Sequence, residues 1–305
     1  MGPPVAFGEA AGVEVRCLAG ENPRPEMDAV QAGLDFAELA KGCGERGVQP
    51  ELDRACMLIS AVFDGEAEVE VGLAQLDALA DRARAIAGSA TDSYAIAGAA
   101  IEAIFREAAF RPNAADYNDP RNNLLSSVLR RRTGIPITLS IVLMEIARRL
   151  GLPLRGIGLP GHFVVAFPDA TSRLFIDAYD GGRILDAVDC VRLVERQPVR
   201  ITWTDRFLDP VAPRLILKRV LLNLKNALSH AKNYGAALTA IELQLALDPD
   251  DPTELRDRGI LFARLHRYDR AIADLEAYLE RSPDAADVKQ IRDKVLWYLR
   301  EARNL

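Results

Sequence analysis

Residues 133–182, TGIPITLSIVLMEIARRLGLPLRGIGLPGHFVVAFPDATSRLFIDAYDGG, decide the fold. Pro136 suits the first helical position, where its missing N–H costs nothing, and Gly151 stops the helix after Arg148 and Arg149. Three short apolar runs follow at 154–157, 163–167 and 174–176, separated by Gly, Pro, Asp and Ser, and read as strands of a small sheet. His162 starts one strand and Asp177 ends the next, so neighbouring strands can bring the two within hydrogen-bond reach. Thr138 falls in the first turn of the helix.

The stretch resembles the core of the transglutaminase-like superfamily, where a Cys at a helix start, a His on a following strand and an Asp on the next form a catalytic triad. In such a site the thiolate attacks an acyl carbon, the imidazole shuttles the proton and the carboxylate fixes its tautomer. More narrowly, the blocks at 117–154, 158–167 and 177–185 are similar to the SirB-type bacterial family, with the resemblance covering about residues 50–300. That family joins a helical region, a transglutaminase-like (papain-like) α/β core and a tetratricopeptide tail, and its members generally carry a hydroxyl residue in place of the Cys.

The resemblance implies a site of His162, Asp177 and Thr138, with Tyr117, Asp119, Arg121, Asn122 and Gly161 lining the cleft for substrate. Plain structural roles compete at each position. Thr138 can bond an orphan N–H of its first turn, Asp177 can serve the Asp-Ala-Tyr-Asp-Gly-Gly turn, and Asp119-Pro120 can start a helix with Arg121 paired to an acidic neighbour. An alkyl hydroxyl is far less acidic than a thiol, so Thr138 needs His162 as a true general base and an oxyanion hole. Cys190 or Cys56 replaces the missing thiol only if folding brings it near.

Before this core, apolar residues recur at three- and four-residue spacing over 27–42, 51–63, 69–86 and 93–110, which predicts four helices, and residues 1–24 read as a loose Gly/Pro/Ala leader. The loop RPNAADYNDPRNN at 111–123 is of the polar kind in which ligand contacts concentrate, though such loops are also plain turns. After Ala212-Pro213 the chain repeats at an offset of 34: Tyr234 and Tyr268, Ala237 and Ala271, Leu238 and Ile272, Leu245 and Leu279, Pro249 and Pro283. That period looks like tetratricopeptide repeats, Gly259 holding the small-residue position and Lys225 replacing it in a degenerate first copy. By family analogy Arg219, Asn226, His230, Arg256 and Arg264 face the concave groove. Two repeats and a last helix at 287–303 are fewer than a free-standing array requires, so the tail is expected to pack on the domain before it.

The expected fold is therefore α+β and mostly helical: a leader at 1–24, a transglutaminase-like domain with a helical N-terminal part and a short antiparallel sheet at 25–212, and a helical repeat tail at 213–305. A length of 305 residues, 49% hydrophobic and 27% charged, suits two packed domains. Residues 1–213 carry 22 Lys and Arg against 30 Asp and Glu, which argues against nucleic acid as a partner, and the Arg130–Arg132 run reads as a solvated helix end. No apolar run reaches the roughly 18 residues that span a bilayer, and the start lacks a secretory pattern, so no membrane contact and a cytoplasmic address are expected. The cysteines Cys17, Cys43, Cys56 and Cys190 are scattered, and no metal or cofactor is expected. The leading expectation is a non-catalytic or weakly catalytic adaptor for a protein or peptide, with a possible regulatory role suggested only by the family's name. The alternative is an acyl-transfer hydrolase or amidase using Thr138 or a distant Cys with His162 and Asp177.

Overall fold

The computed structural model describes residues 24–46, 50–169 and 173–302. Residues 1–23 of the expected leader lie outside the described residues, and Arg24 already begins the first helix, α1 (Arg24–Arg46). Then come α2 (Leu52–Phe63), α3 (Val69–Ala87) and α4 (Ser93–Ile101), the last capped by the Asp92 carboxylate accepting from the Ala95 N–H. The helix expected over 93–110 changes character at Glu102–Glu107, where it widens into a π-helical segment before the chain turns.

The polar loop holds more order than its composition suggests. β1 (Arg111–Pro112) pairs in parallel with β2 (Thr133–Gly134), and Pro120–Asn123 forms a 3-10 turn leading into α5 (Leu125–Arg131). The arginine run closes α5, with Arg132 in the left-handed region. α6 (Pro136–Arg149) follows and is the axis of the domain: apart from Met144, Arg148 and Arg149 every residue is buried. Its sides pack on α2, α3 and α4 and, opposite, on the sheet. Arg149 reaches Asp53 of α2 at 2.7 Å, Asp77 of α3 at 2.6 Å and Glu145 of α6 at 3.1 Å, tying three helices through one guanidinium.

Four antiparallel strands follow in chain order: β3 (Arg155–Ile157), β4 (Val164–Ala166), β5 (Phe175–Asp177) and β6 (Arg183–Leu185). The first three fall where apolar runs predict them, while Arg183–Leu185 is a strand that hydrophobicity alone does not mark. Alternation gives the sheet two buried faces. Phe163, Val165, Phe167 and Ile176 join the main core, and Val164, Ala166, Phe175 and Leu185 join a second cluster with Cys190 and Val194 of α7 (Ala187–Glu195).

The tail is two helix pairs, α8 (Pro213–His230) with α9 (Tyr234–Leu247) and α10 (Pro252–Arg264) with α11 (Tyr268–Arg281), closed by α12 (Val288–Ala302). Gly259 is required by close approach, because a Cβ there would lie 2.8 Å from Leu275 Cγ and 3.0 Å from the Ala271 carbonyl. At the equivalent place in α8 stands Lys225, buried, its Nζ 2.8 Å from Glu254 Oε2 and 2.8 Å from Asp257 Oδ2 of α10. The lysine thus ties one repeat to the next. The tail does pack on the rest of the chain: one apolar core runs from Phe36 through Leu139 and Phe163 to Leu224 and Leu275, and α1 rests on α9.

Candidate functional site

Strand register brings the expected pair together. Val165 faces Ile176 and Ala166 faces Phe175, so continuing the ladder puts Asp177 opposite Val164, and His162 two residues before Val164 shares its face. The His162 Nε2–H donates to Asp177 Oδ2 at 2.9 Å. The other carboxylate oxygen accepts from the backbone N–H groups of Tyr179 at 2.9 Å and Asp180 at 3.3 Å, so the turn after β5 locks the carboxylate that locks the imidazole. Before β4 the chain turns at Gly161, whose φ of +71° favours glycine, and the Gln197 side chain lies over the position a Cβ would take. His162 Nδ1 has no hydrogen-bond partner among the described residues, which leaves it as the atom that could take a proton.

Among the described residues no hydroxyl or thiol hydrogen-bonds to this dyad. The Thr138 hydroxyl donates to the Asn122 carbonyl at 2.8 Å, with the Ile135 carbonyl at 3.2 Å, and accepts from the Ile135 N–H at 3.1 Å, and the residue is 1% exposed. That is the capping role, not an attacking one. Ser140, two residues on, is fully buried with its hydroxyl 3.5 Å from the Phe163 carbonyl. Of the cysteines whose side chains are described, Cys190 sits in the second core, its thiol pushed up to about 12 by burial and by Asp189, Asp177 and Asp186. Cys56 is buried in the main core, where burial, Glu145 and Asp53 also push its thiol up. Cys17 lies outside the described residues.

The loop residues divide. Tyr117 stands at the site, 45% exposed, its ring edge-on to Tyr179 at 6.5 Å, and Tyr179 is edge-on to His162 at 6.0 Å. Asn122 does not line a cleft. It is fully buried, its amide donates to the carbonyls of Asp116 and Tyr117, and its Oδ1 accepts from Asn113 and Arg131, because an irregular loop this deep needs side chains to satisfy its backbone. Asp119, 7% exposed, caps the 3-10 turn through the Arg121 N–H and binds the Arg121 and Arg131 guanidinium groups. Burial alone would raise its carboxyl, but the Arg121 bonds and the Arg131 charge hold it below the usual range. Asp119 and Asn122 are therefore the frame of the loop, and Arg121 is its solvent-side partner.

The expected groove residues also divide. An open groove of about 300 Å³ between α8 and α10 is lined by Asn226, Ser229, Tyr234, Ile260 and Arg264 beside the Lys225–Asp257 pair. His230 is exposed at the end of α8. Arg256 is engaged by Asp257 at 2.9 Å and Asp287 at 3.0 Å. Arg219 leaves the groove altogether. It passes beneath the site, where Nη2 donates to the carbonyls of Leu159 at 2.8 Å and His162 at 2.7 Å, so the first repeat helix holds the histidine loop. Tyr179, Gln197 and this use of Arg219 have no signal in the sequence beyond Tyr179's place in the turn after Asp177. No helix among the described residues is long and apolar enough to cross a membrane, and no group of metal-ligating side chains forms among them.

An α/β core carrying a strand-borne His–Asp dyad beside a buried axial helix, with helical repeats behind it, defines a class. The profile of the transglutaminase-like superfamily matches residues 70–222 and that of the tetratricopeptide repeat matches 224–295; the chain belongs to the transglutaminase-like superfamily and ends in tetratricopeptide repeats. Within that class it is similar to a UPF0162 protein of Xylella fastidiosa strain Temecula1, 35% identical over 193 residues, covering 62% of this chain and 69% of the relative. A UPF0162 protein of Vibrio cholerae is 27% identical over 254 residues, 83% of this chain and 94% of that protein. Protein SirB1 of Salmonella typhimurium is 27% identical over 173 residues, 56% and 64% respectively. No solved structure matches.

Proposed function

We propose that this chain is a non-catalytic adaptor that binds polypeptide, with the repeat groove and the cleft beside His162 as its two surfaces, working in the cytoplasm. The observation that carries the reading is the Thr138 hydroxyl. It stands in the first turn of α6, where the superfamily's nucleophile belongs, and its proton goes to the Asn122 and Ile135 carbonyls, which are not bases, so nothing activates it. Without a nucleophile, His162 and Asp177 can orient a bound chain or brace the sheet edge, but a proton taken by His162 Nδ1 has no bond-forming partner. Tetratricopeptide repeats supply the second surface, a groove mixing the apolar Ile260 with the polar Asn226 and the cationic Arg264.

The test is a side-by-side assay of the full chain and its His162→Ala and Asp177→Ala variants. The substrates are an activated ester, a peptide amide, and a glutamine peptide offered with a primary amine. Equal background rates in all three proteins are expected. Turnover that vanishes in His162→Ala, with circular dichroism showing the fold intact, would overturn the reading in favour of acyl transfer.

A further inference from the structure

The offset of 34 that relates the two helix pairs continues into α12: Leu228 of α8 and Phe262 of α10 fall in register with Leu296, Leu224 and Arg258 with Arg292, and Lys225 and Gly259 with Asp293. In α10 these positions form the face that carries the second helix of the pair. A Cβ at Gly259 would meet Ala271 and Leu275 of α11, Arg258 binds Asp274 of α11 at 2.8 Å, and the Phe262 ring centroid lies 5.7 Å from the Arg270 guanidinium of α11. The first pair uses apolar groups at the same places, and Leu224, Leu228 and Ala240 are fully buried. By this register α12 is the first helix of a further pair, packed on α11 with Ile291, Val295 and Tyr298 buried.

Among the described residues no second helix lies on it. Leu296, in register with side chains exposed by 0% and 5%, is itself 56% exposed, and Leu299 beside it is 37% exposed. Arg292, in register with an arginine held by a carboxylate, has no ion-pair or hydrogen-bond partner among the described residues. A helix that closes a repeat array against solvent carries polar groups on this face. Lys289 and Asp293 follow that rule and Leu296 and Leu299 do not, and an exposed apolar pair rimmed by charge is the surface pattern of a contact. The two covered versions of the same face define what fits it: an amphipathic helix with its apolar stripe on Leu296 and Leu299 and a carboxylate opposite Arg292. A second copy of α12 is a poor match. Lys289, Arg292 and Arg300 outnumber Asp293 here, and two copies laid antiparallel about Leu296 would set Arg292 against Arg300.

We propose that the face of α12 formed by Arg292, Leu296 and Leu299 is a docking site for an acidic amphipathic helix of a partner polypeptide, which lies across it as α11 lies across α10. The site is apart from the groove between α8 and α10 and from the cleft beside His162, and it stands whether or not either of those takes polypeptide. The probe is the helix that covers the equivalent face, supplied in trans: a fluorescein-labelled Tyr268–Arg281 peptide, N-acetylated and amidated. A staple joining Ala273 and Ala277, which lie off its Ala271–Leu275 face, holds it helical. With four carboxylates against two arginines the peptide is acidic.

Fluorescence anisotropy with the full chain should show saturable binding. Leu296→Ser should weaken it about tenfold, the loss of one buried apolar side chain, with circular dichroism and melting temperature unchanged because Leu296 is exposed. Arg292→Gln in the protein and Asp274→Asn in the peptide should each weaken it about fivefold, and the two together should cost no more than either alone, which marks a pair. Binding that neither α12 substitution alters would put the peptide elsewhere, and a peptide shown to be helical that does not bind would mean the face takes no helix; either result overturns the proposal. Affinity that depends on Leu296 without the charge coupling overturns the acidic partner. A wild-type dimer in sedimentation velocity that Leu296→Ser converts to monomer would overturn it as well, by giving the face to a second copy.

Discussion

Replacing Lys225 with Met tests what stands where a tetratricopeptide repeat keeps a small residue. The wild-type Nζ bonds Glu254 at 2.8 and 3.0 Å and Asp257 at 2.8 Å, with side-chain exposures of 4% for the lysine, 6% for Glu254 and 27% for Asp257. Methionine fills the same stem but leaves Glu254 buried without its cation, and breaking such a pair from one side typically costs about 3–5 kcal/mol. Asp257 is wetter and keeps Arg256, so Glu254 dominates. A ceiling follows from the carboxyl's own escape route, protonation. From its ordinary value of 4.5, neutralising it near pH 8 costs about 1.4 kcal/mol per pH unit, or about 5 kcal/mol in all, and near pH 5.5 only about 1.4 kcal/mol. Burial already raises the Glu254 pKa in the native protein, and Lys225 is what pulls it back, so the variant raises it further. A folded-state pKa above the unfolded one means the native state binds more protons, and stability falls as pH rises through that window. Urea unfolding at both pH values should therefore show a loss of about 3–5 kcal/mol near pH 8 shrinking to about 1 kcal/mol near pH 5.5, and Lys225→Met with Glu254→Gln should recover most of it. A loss below about 0.5 kcal/mol near pH 8, or one that does not change with pH, would refute the reasoning, since surface pairs behave that way.

Gly259→Ala should destabilise by about 1–3 kcal/mol, because the new methyl meets Leu275 and the Ala271 carbonyl and forces α10 from α11; thermal unfolding reads it. Thr138→Val keeps the shape but strands the Ile135 N–H, costing about 1–3 kcal/mol in urea unfolding while leaving polypeptide binding unchanged; unaltered stability would reopen a functional role for the hydroxyl. Cys56 and Cys190, their thiols raised by burial, should resist iodoacetamide near pH 8 in the native protein and react in urea, as peptide mass spectrometry would record; rapid native labelling of Cys190 would restore it as a candidate nucleophile.

The dyad is legible in the sequence because strand geometry is strict: a residue before one strand and a residue ending its antiparallel neighbour meet on one face, and His162 and Asp177 have that spacing. The repeats are legible because Tyr234 and Tyr268 open equivalent helices. Thr138 shows where such reading stops. A first-turn hydroxyl has the same local sequence whether it caps or attacks, and only the Asn122 carbonyl, 16 residues away in the chain, decides. Asn122 is hidden for the complementary reason, since a polar loop residue reads as exposed until its own backbone turns out to need donors. Analogy places Arg219 in the groove, but its direction is set by the Leu159–His162 turn on another element, whose two carbonyls accept from it. β6 escapes because Arg183 and Ile184 are exposed, and only the ladder to β5 makes the segment a strand.

The contact of α1 with α9 joins elements separated by roughly 190 residues of chain. Loop closure over such a span is slow to begin and gains nothing until both ends exist. During synthesis α1 can pack on α2 at once, but the side of it that meets α9 stays uncovered until α9 has left the ribosome, long after the core around α6 could have closed. A ribosome stalled before residue 234 would hold a first helix seated on α2 but still lacking its α9 side, so the first helix pair of the tail closes the chain back onto its own beginning.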